Sequence, residues 1–165
     1  MRRVVGIAAG IIGAAVIAVV AASCGSDSTG PTTKTYVANM IAANEGGGFT
    51  SAGSGVFTFV DLGTEIDWTL DLTNMTGVFD SHIHLGPATA VGSTAGPVII
   101  NLFIPNGNSG ILNGQVAHGS ITNANNVNVS LDSLRVLFNN GNSYANVHTS
   151  AHTSGEIRDQ IRPSN

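Results

Sequence analysis

Residues 65–73 carry the feature that most constrains the fold, a strict alternation of polar and apolar side chains. A period of two places every second side chain on the same face of an extended strand. The apolar set then faces a core and the polar set faces water, which is the pattern of a half-buried strand in an antiparallel sheet. The predicted core-facing residues are Ile66, Trp68, Leu70 and Leu72.

Short apolar segments recur along the rest of the chain, separated by Gly, Asn and Pro turns. Residues 130–138 differ, because Leu131, Leu134 and Leu137 recur at helical spacing behind Ser130, a good N-cap. The sequence therefore predicts an all-β fold, an antiparallel β-sandwich or barrel-like domain with one short helix near 130–138. The other predicted strands lie at residues 35–42, 55–60, 82–85, 97–104, 110–121, 142–148 and 156–161.

The N-terminal residues have the features of an export signal. A positively charged Met1-Arg2-Arg3 precedes an apolar run, and Ala21-Ala22-Ser23 leads into Cys24. This pattern predicts a lipoprotein signal peptide over 1–23, lipidation of Cys24 and a flexible tether over 24–33. The alternative is an uncleaved anchor, because the apolar run approaches the ~18 residues that can span a bilayer. Either interpretation predicts a domain outside the cytoplasm, held at a membrane in the periplasm or at the cell surface.

Charge and residue content exclude several function classes. From Cys24 onward four basic residues oppose ten acidic ones, a net charge near −6, so nucleic acid is not an expected partner. Cys24 is the only cysteine, which excludes an intrachain disulfide and a thiolate metal site in the domain. No nucleophile elbow, phosphate-binding glycine loop or inward carboxylate pair is present, so no catalytic residue is predicted.

Four of the five histidines fall in two short segments. His82 and His84 stand two residues apart on a predicted strand, and His148 and His152 lie near the C-terminus. Residues i and i+2 of a strand share a face, and neutral imidazole is a common ligand of Zn and Cu. If the C-terminal strands pair beside the strand at 82–85, the four side chains predict a transition-metal site, with Zn and Cu not separable. Imidazole must be deprotonated to bind, so affinity should fall as the pH drops through about 6.5.

The alternative interpretation is that these histidines are structural. A buried imidazole needs hydrogen-bond partners in any case, and Asp80, Glu156 and Arg158 are nearby in sequence. His118 stands alone on a predicted strand and is interpreted as a surface or satisfied histidine.

Four segments in order resemble the CHRD domain, first described in the developmental protein chordin. They are HIHLGP at 82–87, GPVIINL at 96–102, NSYANVHT at 142–149 and GEIR at 155–158. The resemblance covers roughly residues 34–162. It implies an extracytoplasmic β-sandwich-like domain and no established biochemical activity.

Glu156 and Arg158 share a face of the last predicted strand. They are interpreted as a structural lock, through an ion pair or contact with the loop at 86–96. The alternative is that Glu156 accepts a hydrogen bond from a ligand histidine and orients it.

Three functions are consistent with the sequence. The first is a lipid-anchored binding or interaction module that recognises an unknown protein or extracellular ligand and holds a metal. The second is a copper-dependent redox enzyme of superoxide-dismutase type, since His-x-His on a strand also presents part of that copper site. The third is a metal-free structural protein of the envelope.

Overall fold

The computed structural model describes residues 33–90, 95–102, 110–126 and 128–164. The predicted signal peptide, Cys24 and all but the last residue of the tether lie outside these residues. The elements are β1 (Lys34–Ile41), a 3-10 helix (Ala42–Glu45), β2 (Ser54–Asp61), β3 (Ile66–Met75), β4 (Val78–Leu85), β5 (Val98–Leu102), β6 (Leu112–Ile121), α1 (Leu131–Asn140), β7 (Ser143–Thr149), β8 (Ile157–Gln160) and β9 (Arg162–Pro163). Within the described ranges, no helix combines the length and apolar character needed to cross a membrane.

The nine strands of the described residues form one antiparallel sheet that curls on itself like a half-barrel. Its order is β5-β4-β7-β8-β1-β2-β3-β6, with β9 also paired to β1. This architecture confirms the predicted all-β, barrel-like fold with a single short helix near 130–138. The 3-10 helix and the short strand β9 were not predicted from the sequence.

The alternation in β3 contributes four side chains to the core. Ile66, Trp68, Leu70 and Leu72 are all buried, as predicted. They share one face because side chains alternate along a strand. Strand β3 pairs with β2 in a continuous register on one side and with β6 through two register shifts on the other. Removing these side chains from water is the main favourable contribution to folding.

Helix α1 covers one part of the curled sheet. Ser130 caps it by accepting a hydrogen bond from the Ser133 backbone N–H, and Gly141 ends it in the left-handed region with φ 61°. Leu131, Leu134 and Phe138 are buried beneath the helix. The Phe138 ring lies 5.1 Å from the rings of both Tyr36 and Phe59, and these contacts fix the helix on β1 and β2.

The pairing of β4 with β7 determines where the histidines meet. Asp80 lies opposite His148, His82 opposite Asn146, and His84 opposite Tyr144. Strand β8 pairs with the other edge of β7. The C-terminal strands thus lie beside the His-x-His strand, which is the condition that the sequence prediction required.

Candidate metal centre

Strand β4 presents two imidazoles side by side. His82 and His84 lie on one face, while Ile83 between them points into the core and is fully buried. The two ring centroids are 5.6 Å apart. Alternation along a single strand therefore positions this pair, with the apolar residue between them anchoring it.

Strand β7 brings a third imidazole against the pair. His148 Nε2 lies 3.1 Å from His82 Nδ1. One ring nitrogen from each of His82, His84 and His148 falls within a group whose members lie no more than 4.8 Å from one another. Two nitrogens on one tetrahedral ion at ~2.0–2.1 Å would be roughly 3.3 Å apart. The closest pair is already near that spacing, and the widest needs an inward movement of roughly 1–1.5 Å. These three histidines could hold a metal ion.

The outer nitrogen of each ring faces an acceptor. His82 Nε2 lies 3.0 Å from a carboxylate oxygen of Asp80. His84 Nδ1 lies 2.8 Å from the carbonyl of Gly96, and His148 Nδ1 lies 3.0 Å from that of Thr153.

Because these partners can only accept, each outer nitrogen must carry the proton and donate it. The inner nitrogens, His82 Nδ1, His84 Nε2 and His148 Nε2, are then left with free lone pairs. Fixing the tautomer of a ligand histidine in this way is a general feature of metal sites.

Burial favours the neutral form of His82 and His84. Desolvation lowers the pKa of His82 below its ordinary value, and the neighbouring His148 and His84 lower it further, while Asp80 raises it. Desolvation is also the main cause that lowers the pKa of His84, against the opposing hydrogen bond to Gly96. Neutral rings are the form that binds a metal, so the environment favours ligation near neutral pH.

The ring of His84 is held by aromatic stacking. Tyr144, its partner across the strands, lies parallel to it at 7° with centroids 4.8 Å apart. The guanidinium of Arg158 lies 5.1 Å from the Tyr144 ring. Tyr144 thus packs between a predicted ligand and the predicted structural lock on β8.

The structure does not bring His152 into the group. Its ring stacks on Phe49 at 3.9 Å between centroids. The turn that follows β7 causes this placement, because the backbone of Thr149 and His152 exchanges two hydrogen bonds. His118 is exposed on β6, as predicted.

Glu156 and Arg158 have separate partners and do not pair with each other. Glu156 accepts hydrogen bonds from Ser51 Oγ at 2.5 Å and Thr149 Oγ1 at 2.6 Å. Arg158 forms a buried ion pair with Glu45 and donates to the carbonyl of Ala90. These contacts tie β8 and the residue before it to the surrounding loops. The histidine acceptors are instead Asp80, Gly96 and Thr153.

Several residues of the site have no direct signal in the sequence. Backbone carbonyls such as those of Gly96 and Thr153 have no residue-type signature. Tyr144 and Asn146 had a usable signal, because they precede His148 by four and two residues on the predicted strand 142–148 and so share its face.

Comparison with known proteins gives one family. Residues 36–161 match the family model of the CHRD domain, and this match covers most of the chain. No curated protein and no solved structure gave a significant match.

Proposed function

This chain belongs to the CHRD domain family, and from that premise we propose that it is an extracytoplasmic binding module that holds a transition-metal ion through His82, His84 and His148. The family membership supports a binding or interaction role, and the histidine group supplies its chemistry.

The observation that carries the proposal is the convergence of three fixed lone pairs. His82 Nδ1 and His148 Nε2 are 3.1 Å apart, and both outer nitrogens are committed to acceptors. Two acceptor nitrogens at that distance repel unless a positive charge lies between them. A structural histidine pair would instead direct an N–H from one ring to the other. The arrangement fits a shared cation better than a hydrogen-bonded pair.

The donor set supports Zn or Cu. Three neutral imidazoles without a thiolate suit these borderline ions, and three protein ligands leave a further coordination position. The two metals share this preference, so we propose a transition-metal ion, either Zn or Cu, and do not choose between them.

Elemental analysis of the full chain, purified without a polyhistidine tag, tests the proposal. We expect about one Zn or Cu ion per chain, in line with a three-imidazole site. The double variant His82→Ala/His84→Ala should lose it. His118→Ala is the matched control, because it removes an exposed imidazole outside the group. Metal-free protein would reject the metal centre and favour a structural envelope protein. A double variant that keeps its ion would place the ion outside the histidine group and reject this centre.

A copper redox enzyme is the second candidate, because the centre is reachable from solvent. The side chain of His82 is 16% exposed and that of Asp80 is 40% exposed, so a small substrate can approach the ion. Superoxide turnover by the copper-loaded protein, lost in the double histidine variant, would favour this function. Stoichiometric metal without turnover would favour the binding module.

The proposed location rests on the N-terminal sequence. Lipid on Cys24 would hold the domain at a membrane through the tether at 24–33, with a protein or extracellular ligand as partner. Membrane fractionation of wild type and Cys24→Ser tests this proposal. Membrane association that persists in the variant would indicate the uncleaved anchor.

A further inference from the structure

Asn146 is a neighbour of all three candidate ligand histidines in the pairing of β4 with β7. On β7 it lies two residues before His148, so their side chains share a face. Across the strands it lies directly opposite His82, and His84 is its diagonal neighbour. Side chains in these relations are within reach of one another. Strand geometry therefore places the Asn146 amide beside all three histidines.

The amide oxygen of Asn146 is buried and has no hydrogen-bond partner. The residue is only 2% exposed, and Oδ1 makes no hydrogen bond among the described residues. His84 Nε2, one of the three inner nitrogens, is in the same condition. The Asn146 side chain nevertheless acts on His84, whose pKa it raises against the larger lowering by desolvation. Two neighbouring buried acceptors without donors are unusual, since buried polar atoms are normally satisfied.

Four acceptor atoms therefore belong to neighbouring side chains on one face of the sheet. They are His82 Nδ1, His84 Nε2, His148 Nε2 and Asn146 Oδ1, and the outer hydrogen bonds leave no proton on any of the three inner nitrogens. A water molecule has two protons and could satisfy only two of these atoms. A cation can be shared by all four.

We propose that Asn146 Oδ1 is the fourth ligand of the centre, which makes it a site of three nitrogens and one oxygen for a divalent ion. This inference rests on the proposed metal-binding function. A carbonyl oxygen is a hard ligand, so it disfavours the soft cuprous ion and favours divalent ions such as Zn²⁺ and Co²⁺. Asn146 is then a residue that determines metal specificity.

Cobalt(II) is the probe, because its visible absorption reports the number and type of its ligands. The full chain without a tag is titrated with Co²⁺ after chelator treatment. Asn146→Ala should weaken Co²⁺ binding about 10–100-fold, a loss typical of removing one supporting group from a metal site, and should change the spectrum. Asn146→Asp should bind at least as tightly as wild type, because it offers an anionic oxygen in the same place.

Asn101→Ala is the matched control. Asn101 is the other cross-strand partner of His82, on β5, and it is exposed. It should leave both affinity and spectrum unchanged. A thermal melt of each variant shows that the protein is folded, and Asn146→Asp alone decides the question if the alanine variant does not fold.

The outcomes separate the two proposals. If wild type binds Co²⁺, His82→Ala/His84→Ala does not, and Asn146→Ala keeps the wild-type affinity and spectrum, the oxygen ligand is rejected while the histidine centre stands. If Asn146→Asp binds as weakly as Asn146→Ala, the amide acts as a hydrogen-bond donor and the inference is rejected. Wild type that binds no Co²⁺, Zn²⁺ or copper rejects the proposed function itself.

Discussion

His82 Nδ1 and His148 Nε2 face each other at 3.1 Å across β4 and β7, and the outer nitrogen of each ring donates to an oxygen. The two residues are 66 positions apart in the chain. When both rings are neutral and their outer nitrogens carry the protons, the two inner lone pairs oppose each other, and this contact stabilises the fold less than an ordinary hydrogen bond would. A bound cation would turn this repulsion into ligation.

Metal should therefore stabilise the folded protein. At a free ion concentration about 100 times the dissociation constant, binding to the native state alone contributes about 2.7 kcal/mol. For a domain of this size that corresponds to roughly 5–10 °C in Tm. Differential scanning calorimetry with Zn²⁺ and after chelator treatment measures the shift. His82→Ala/His148→Ala should show none, and an equal shift in that variant would place the ion elsewhere.

Asp80 should support the metal without touching it. Its carboxylate accepts the His82 Nε2 proton at 3.0 Å, which raises the basicity of the opposite nitrogen. Asp80→Asn should lower Zn²⁺ affinity about 10-fold or more, since loss of such a partner typically costs 10–100-fold. Competition with a chromophoric chelator measures the change. Asp71→Asn, which alters an exposed carboxylate on β3, should bind as wild type does, and a similar loss in both variants would indicate a general charge effect.

Acid should destabilise the metal-free protein through the buried imidazoles. The pKa values of His82 and His84 are lowered in the folded state, whereas unfolded histidine titrates near 6.5. The unfolded chain then binds more protons below that pH, so stability is full above about 6.5 and falls as the pH drops. Asp61, whose pKa lies below its ordinary 3.8, contributes only at lower pH.

Thermal melts in chelator between about pH 5 and 8 measure this dependence. His84→Gln should flatten the profile, because it removes one of the two depressed groups. His118→Gln removes an exposed imidazole and should follow wild type. Metal affinity should fall over the same interval, with the loss beginning below pH 6.5. A wild-type profile in His84→Gln would contradict the assignment.

The sequence was sufficient where structure follows from local periodicity. Alternation in β3 identified the core-facing Ile66, Trp68, Leu70 and Leu72, and helical spacing behind Ser130 identified α1. Both patterns arise because residues close in sequence bury one face of an element, so they can be recognised in a single sequence. The same period of two predicted that His82 and His84 lie on one face of a strand.

The rest of the site depends on non-local register. His148 reaches His82 only because β7 pairs with β4 in one particular register, and a shift of one residue would turn the ring to the other face. His152 lies beyond the end of β7, where side chains no longer alternate as they do along a strand. Its spacing from His148 therefore did not predict which way its ring points, and the ring stacks on Phe49. Backbone carbonyls such as that of Gly96 come within hydrogen-bonding distance of a histidine only after the loops have packed.

Gly96 should be required for both stability and metal binding. A Cβ at this position would lie 1.5 Å from the carbonyl oxygen of Leu85, an impossible overlap with backbone atoms. Gly96→Ala must therefore push the segment away from β4, and with it the carbonyl that fixes the His84 tautomer.

We expect Gly96→Ala to lower the free energy of unfolding by about 2 kcal/mol or more, in the range of overpacking and lost buried hydrogen bonds. Zn²⁺ affinity should fall as well. Urea denaturation and chelator competition measure the two effects. Gly110→Ala is the matched control, since no atom of the described residues lies within 4 Å of its added Cβ. Equal behaviour of the two variants would contradict the close approach.

The buried ion pair of Glu45 and Arg158 should dominate the stability of the loops behind the site. Both side chains are nearly inaccessible, at 4% and 6% exposed, and Arg158 also donates to the carbonyl of Ala90 and lies over the ring of Tyr144. Glu45→Ala would leave a buried guanidinium without its counter-charge. Breaking such a pair from one side typically costs about 3–5 kcal/mol.

Urea denaturation of Glu45→Ala measures this cost, and Asp132→Ala provides the contrast. Asp132 pairs with Arg135 at 2.7 Å, but its side chain is 93% exposed, so water screens the interaction and its loss should be within about 1 kcal/mol. Arg158 contacts the Tyr144 ring that stacks on His84, so Glu45→Ala should also weaken Zn²⁺ binding while Asp132→Ala should not. Destabilisation of Glu45→Ala with unchanged Zn²⁺ affinity would show that the ion pair supports the fold independently of the metal centre.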